Sequence, residues 1–364
     1  MDSTVRIRIM KTNTKARAPS SANAKAKTIN LALQGGGSHG AFAWGVLDYL
    51  LEDGRLEFEG ISATSAGAMN AVVLAQGLLN NDKAEARAAL THFWQTVSDV
   101  SKKSNPLKSL PSFSWFGKKA NFKPEPSPLD HIADFMTRVF SPYQLNPFNL
   151  NPLKDILEKT IDFEAIRKRS PIKLNICATN VETCKVRIFE TKEINVDAIL
   201  ASACLPFMFQ SVEIEGEYYW DGGYIGNPAI FPLIYHCDSQ DVVIVHINPI
   251  VRKGVPTTAS EILNRLNEVS FNSSLMREMR AVAFVGKLIE DKKVKASDMK
   301  QMHIHSVRSD AAMSEYDASS KMNTDWEFLC HLRDKGRAIA KQWLDENYVK
   351  IGKESSVDIR KEFL

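Results

Sequence analysis

Two textures of apolar and polar positions alternate along this chain. Short runs such as TINLALQ (28–34), LEFEGISAT (56–64) and DVVIVHINP (241–249) are continuous or alternating, the pattern of half-buried and fully buried strands. Between them lie longer stretches with helical character. AFAWGVLDYLLEDG (41–54) is an apolar helix closed by Gly54, AGAMNAVVLAQGLL (66–79) a helix of small residues, and NDKAEARAALTHFWQTVSDV (81–100) a charged one. IKLNICATNV (172–181) and KVRIFET (185–191) form a pair compatible with a hairpin. VDAILASACLP (196–206) reads as a helix stopped by Pro206, SVEIEGEYYWDGG (211–223) as strand–turn–strand, and MHIHSV (302–307) as a further strand between long amphipathic helices at 258–292 and 322–347. Strands and helices alternate throughout, without internal repeats. The pattern predicts one α/β domain with a mostly parallel sheet.

Residues 101–152 differ in texture, with SNPLKSLPSFSWFGKKANFKP followed by the amphipathic LDHIADFMTRVF and then SPYQLNPFNLNP. So many large apolar groups argue against a linker and for an excursion from the core, a lid or membrane contact. Phe113, Trp115 and Phe116 beside Lys118, Lys119 and Lys123 suit an interface with anionic lipid, or equally a cover packed on the sheet.

Charge narrows the partners. The chain has 364 residues and a net charge of +3. Arg6, Arg8, Lys11, Lys15, Arg17, Lys25 and Lys27 against Asp2 make residues 1–28 net +6, leaving −3 for the rest. The tail reads as a basic, disordered arm without an apolar signal core. The body is not a polyanion binder, so no specific nucleic-acid binding is expected. Five cysteines without CxxC or ligand spacing read as reduced, mostly buried thiols. No apolar run reaches the ~18 residues of a membrane span. The expectation is a cytoplasmic or peripheral-membrane protein.

Three motifs carry chemistry. Gly35, Gly37 and Gly40 of GGGSHG fit G-x-G-x-x-G between a strand and a helix. Such a loop brings free N–H groups to a ligand, either a pyrophosphate or the oxyanion of an acyl-transfer intermediate. A dinucleotide site wants an acid at the end of the next strand. Here that strand ends in ATSAG, which favours the oxyanion reading. The second motif is this turn itself. Ser65, with Ala63, Ala66, Gly67 and Ala68 around it, has the small neighbours of a nucleophile elbow, although a serine helix cap fits the same residues. The third is YYWDGGYIGNP (218–228), where Asp221 precedes Gly222 and Gly223. An ordinary Asp-Gly turn is the plainer reading.

Together, GGGSHG, TSAG and DGG followed by GNP resemble the patatin-like phospholipases, as does CLPFMF after ASA. The motifs cover residues 29–250. The remainder, residues 251–364, resembles the C-terminal helical part of a bacterial branch of that family, packed on the same domain. The resemblance implies a three-layer sandwich, a mostly parallel central sheet flanked by helices. It implies a Ser65–Asp221 dyad without histidine, an oxyanion hole from Gly35, Gly36, Gly37 and Ser38, and no metal or cofactor. Its implied substrate is a phospholipid or lysophospholipid ester at a membrane surface, with a non-phospholipid ester or a catalytically weak lipid-binding protein as alternatives. Tyr219, Trp220 and Tyr224 could supply the dry surroundings that make Asp221 a competent base.

Two positions depart from the family pattern. Ala63 stands where glycine is usual, which matters only if its φ is positive. His39 stands where Arg or Lys is common, either setting the loop or lying on the surface. A Ser65–Asp221–His triad using His303 or His305 is the rival mechanism, since the chain order fits.

Overall fold

Strand residues in this protein alternate between two separate cores, which makes the sheet the middle of three layers. Ile29, Leu31, Leu33, Val243, Val245 and Val307 face one core, while Ala32, Val242, Ile244 and Ile304 face the other. The computed structural model describes residues 26–104, 141–295 and 298–364. Its strands are β1 (Lys27–Leu33), β2 (Leu56–Ala63), β3 (Lys173–Asn180), β4 (Val186–Glu190), β5 (Val212–Ile214), β6 (Glu217–Asp221), β7 (Asp241–Val245) and β8 (His303–Val307). They form one sheet in the order β5-β6-β3-β2-β1-β7-β8, with β4 also paired to β3. The run from β3 to β8 is parallel, and β4, β5 and β6 add antiparallel pairs at the other side.

The first core lies under α1 (Gly40–Asp53), α2 (Ala66–Gly77), α3 (Lys83–Ser104) and the helix Trp326–Asn347, through Phe42, Leu74, Phe93 and Phe328. The second lies under the long helix Ala259–Glu290 and the short helix Phe231–His236, through Leu275, Met279 and Leu233. The C-terminal residues therefore complete both layers and add β8 to the common sheet.

Every strand expected from patterning is present. The long helix at 258–292 is Ala259–Glu290, started by a Thr258–Glu261 capping box. The helix expected at 322–347 starts later, at Trp326, because Ser319–Met322 forms a separate 3-10 turn. Two short helices, Pro152–Thr160 and Phe163–Arg169, follow the excursion. Asn151 and Asp162 cap them, a local signal that apolar periodicity does not report. Most of the excursion, residues 105–140 with Phe113, Trp115 and Phe116, lies outside the described residues. All five cysteines are free thiols, and Cys177, Cys204 and Cys237 are buried. Among the described residues no helix is long and apolar enough to cross a membrane.

One close contact fixes the layer that backs the glycine loop. α1 and the helix Trp326–Asn347 cross with Gly45 and Gly336 facing opposing backbones. A Cβ on Gly45 would sit 1.9 Å from the Arg333 carbonyl oxygen, and one on Gly336 2.1 Å from that of Phe42. Gly336→Ala must force the helices apart. It is expected to cost about 1–3 kcal/mol of stability, read as a lower urea midpoint. An unchanged midpoint would mean the crossing yields freely.

Candidate active site

β2 ends at Ala63 and α2 begins at Ala66, so two residues, Thr64 and Ser65, turn the strand into the helix. Ser65 adopts φ 55° and ψ −121°, a region that disfavours any residue with a Cβ. The turn is pinned on every side. Thr64 N–H donates to the Leu33 carbonyl (3.2 Å), and its hydroxyl to that of Gly226 (2.6 Å). Ser65 N–H donates to Ser202 Oγ at 2.9 Å. The first turn of α2 crosses the end of β1 so closely that a Cβ on Gly67 would lie 2.3 Å from the Leu33 oxygen. The Ser65 side chain makes no capping hydrogen bond to α2, so it is not an ordinary helix cap. Ala63 is the last residue of β2, paired with Leu33 and Ile176, and is not among the residues with positive φ. The methyl group there costs nothing in backbone strain.

Sheet register explains how Asp221 reaches Ser65. β2 and β3 run parallel with Ala63 opposite Ile176, and β6 runs antiparallel to β3 with Asp221 opposite Ala178. Two residues beyond Ala63, the chain is level with Ala178, so Ser65 and Asp221 straddle one strand. Asp221 is fully buried at the end of β6. Its Oδ1 accepts the Gly223 N–H at 2.7 Å, while Oδ2 has no hydrogen-bond partner. Burial is the main cause that pushes its pKa up to about 6, opposed by Gly223 N–H, the Ser65 hydroxyl and the Lys321 charge. The hydroxyl is thus near enough to favour the carboxylate, yet no hydrogen bond of ordinary geometry joins the two. Burial, and then the Asp221 charge, raises the pKa of nearby Tyr224 to about 12. Tyr219 is buried too, but its hydroxyl is engaged by Glu217.

The glycine loop runs from β1 into a 3-10 turn, Gly37–His39, and on into α1 at Gly40. One expected oxyanion donor differs from its expectation. Gly35 N–H is already committed to Asn227 Oδ1 at 2.7 Å. Gly35 instead gives room, since a Cβ there would be 2.7 Å from that of Ser65. Gly36, Gly37 and Ser38 stand at the start of the turn, where N–H groups lack intrahelical partners. Gly37 has φ 58°, so its place in the loop suits glycine. His39 is buried, not on the surface. Burial first, and then Lys321, drops its pKa to about 3, and its Nε2 pairs with Ser320 Oγ at 2.8 Å. It sets the loop as a neutral ring. A small recess lined by His39, Asn248, Glu268, Tyr316 and Lys321 adjoins this loop, but Ser65 and Asp221 do not line it.

The triad alternative fails on geometry. His305 Nε2 pairs with Asp241 at 2.9 Å and His303 Nδ1 lies 3.5 Å from the same oxygen. Asp241 begins β7, at the end of the sheet opposite the Ser65 turn.

Patterning missed four polar residues that hold the site. Ser202 anchors the Ser65 amide, Asn227 the Gly35 amide, and Asn248 donates to the Gly35 carbonyl at 2.9 Å. Lys321 donates to Asn248 Oδ1 at 2.9 Å. Asn227 stands within GNP and Ser202 within ASA, while Asn248 and Lys321 belong to no motif.

The sequence model of the patatin-like phospholipases matches residues 31–234, which contain the Ser65 turn, the glycine loop and Asp221. The chain belongs to the patatin-like phospholipase family. Members of this family are lipid acyl hydrolases. No curated protein matches the sequence. Among solved structures, the chain is similar to VipD from Legionella pneumophila, at 15% identity and TM-score 0.42 over 93% of this chain and 72% of that one. It is also similar to a chain of the heterodimeric ExoU–SpcU complex from the type III secretion system of Pseudomonas aeruginosa. That match has 17% identity and TM-score 0.37, covering 88% of this patatin-like chain and 52% of the other, about half its length.

Burial of Asp221 predicts a stability effect with a definite sign. Its folded pKa of about 6 exceeds the unfolded ~3.9, so ionisation opposes folding above pH 6 and not below pH 4. Asp221→Asn is expected to be more stable than the natural protein at pH 8, by up to about 3 kcal/mol. That gain should vanish at pH 4. Thermal melts at the two pH values test this, and an equal difference at both would contradict it.

Proposed function

We propose that this protein is a serine acyl hydrolase of the phospholipase A or lysophospholipase type, with Ser65 as nucleophile and Asp221 as base. The observation that carries the reading is one pair. A serine held at φ 55° without a capping bond faces a fully buried carboxylate whose second oxygen has no partner. In this mechanism Ser65 Oγ attacks the ester carbonyl while Asp221 Oδ2 takes its proton. The tetrahedral oxyanion sits against the N–H groups of Gly36, Gly37 and Ser38, each donor worth about 3 kcal/mol of barrier. Collapse expels the alcohol, which leaves with the proton from Asp221. Water, deprotonated by Asp221, then attacks the acyl-Ser65 ester, and collapse releases the fatty acid while Asp221 returns the proton to Ser65 Oγ. A carboxylate near pKa 6 is a better base than an exposed aspartate and is still ionised at pH 7.

The recognisable motifs and the C-terminal residues act as one catalytic unit in this reading, with residues 251–364 packed on the domain formed by 29–250. Ala63, in regular strand geometry, gives no reason to assign a catalytically weak form. Ser65→Ala should abolish labelling by a fluorophosphonate probe and lower ester hydrolysis by at least about a thousandfold. A screen of phospholipid, lysophospholipid, triglyceride and soluble esters identifies the substrate class. Hydrolysis that survives in Ser65→Ala would overturn the mechanism.

We further propose that the face beside Asp221 meets a bilayer. Phe148, Leu150 and Phe207 are 84%, 71% and 68% exposed. The segments bearing them are joined by Gln210 Nε2 to the Asn146 carbonyl (2.9 Å) and by Tyr143 Oη to Ser211 Oγ (2.9 Å). The same turn receives the Asp221 N–H at the Cys204 carbonyl, 2.8 Å away. Phe148→Asp with Phe207→Asp should lower vesicle binding roughly tenfold and leave hydrolysis of a soluble ester unchanged. Unaltered sedimentation with phospholipid vesicles would exclude this face.

A further inference from the structure

Lys321 has no role in the mechanism above, yet its surroundings are not those of a surface lysine. It lies in the 3-10 turn Ser319–Met322, outside the residues matched by the family. Its ammonium donates to Asn248 Oδ1 at 2.9 Å and to Asn267 Oδ1 at 2.7 Å. Asn248 in turn holds the Gly35 carbonyl at 2.9 Å. The Lys321 carbonyl presses on the glycine loop, 2.4 Å from where a Gly37 Cβ would be. The neighbouring Ser320 hydroxyl holds His39. One turn thus grips the loop at Gly35, Gly37 and His39.

We infer that Lys321 is a positioning residue of the active site, fixing the glycine loop through Asn248 and favouring the ionised form of Asp221. The inference rests on the Ser65–Asp221 reading. Other charges nearby do not replace Lys321. Glu268, from the long helix, is paired with Arg252 Nε at 3.0 Å and Arg265 Nη1 at 2.9 Å. His39 is neutral, and Asp317 acts on it in the opposite sense to Lys321. Around Asp221, Cys204 and Tyr224 are both pushed up to about 12 and carry no charge at neutral pH. The Lys321 charge favours the Asp221 carboxylate, after the larger contributions of Gly223 N–H and the Ser65 hydroxyl.

Burial lowers the Lys321 pKa to about 8, while Glu268 and Asp221 hold it up. Its charge is therefore present below pH 8 and lost above it. The natural enzyme should show an acid limb near pH 6 in kcat/KM on a soluble ester. Lys321→Arg keeps a cation throughout the assay range, so its acid limb should stay near pH 6. In Lys321→Met the acid limb should move to higher pH and kcat/KM at neutral pH fall roughly tenfold. A Lys321→Met enzyme that melts earlier but keeps its acid limb would show a merely structural role and overturn the inference. So would a Lys321→Arg enzyme whose acid limb shifts upward although its cation is kept, and this arm stands even if the methionine variant does not fold. Ser65→Ala separates the two readings. Ser65-dependent hydrolysis with profiles indifferent to residue 321 overturns the Lys321 inference alone. Hydrolysis independent of Ser65 overturns the dyad and the inference with it.

Discussion

The crossing of the first turn of α2 over the end of β1 is the contact from which the site follows. It leaves the Leu33 oxygen where a side chain on Gly67 would have to be, and only two residues in which to turn. Under that constraint Ser65 is driven to positive φ and its hydroxyl away from the helix N-terminus it would otherwise cap. Strain of this kind, of order 1–3 kcal/mol, persists only where surrounding bonds over-determine it. The hydroxyls of Thr64 and Ser202 and the carbonyl of Leu33 do so here. The same crossing brings the glycine loop against the Ser65 side chain.

Asp221 is governed by a second balance, between burial and partial satisfaction. Burial alone would drive a carboxyl toward the neutral form, in which it could not accept a proton. A single backbone donor, Gly223 N–H, and a distant ammonium offset part of that cost and leave one oxygen open. Fuller satisfaction would make the group a weaker base, and none would leave it protonated.

The parts of this site that depend on backbone shape were legible in the sequence. GGGSHG, ATSAG and WDGG are all places where small residues are required because chains approach closely, and such requirements leave marks at fixed spacing. The parts that depend on side-chain hydrogen bonds were not. Ser202 lies in ASA, where nothing marks it as the anchor of the Ser65 amide; Asn248 and Lys321 come from the segment after β7 and a late 3-10 turn, and nothing in their local sequence distinguishes them from surface polar residues. His39 was noticed as a departure, but its neutral buried state depends on Ser320 and Lys321, far along the chain. His303 and His305 looked available in sequence order because the sheet register that gives them to Asp241 is invisible there. Gly35 was assigned a donor role from the motif, while its amide belongs to Asn227. The sheet itself was legible through its apolar strand runs, and β1, β7 and β8 each feed two cores.

The crossing of α1 with the helix Trp326–Asn347 bears on how the chain is completed during synthesis. α1 is buried on nearly all sides, with Phe42, Trp44, Val46 and Leu47 fully enclosed, so it lacks the polar flank of a surface helix. Ribosomes deliver it early and its cover much later. Until Trp326–Asn347 emerges, the nascent protein carries an uncovered apolar rod, the kind of surface that recruits chaperones. Shortening the chain to its recognisable motifs would make that condition permanent, and aggregation rather than a smaller enzyme is the physical consequence.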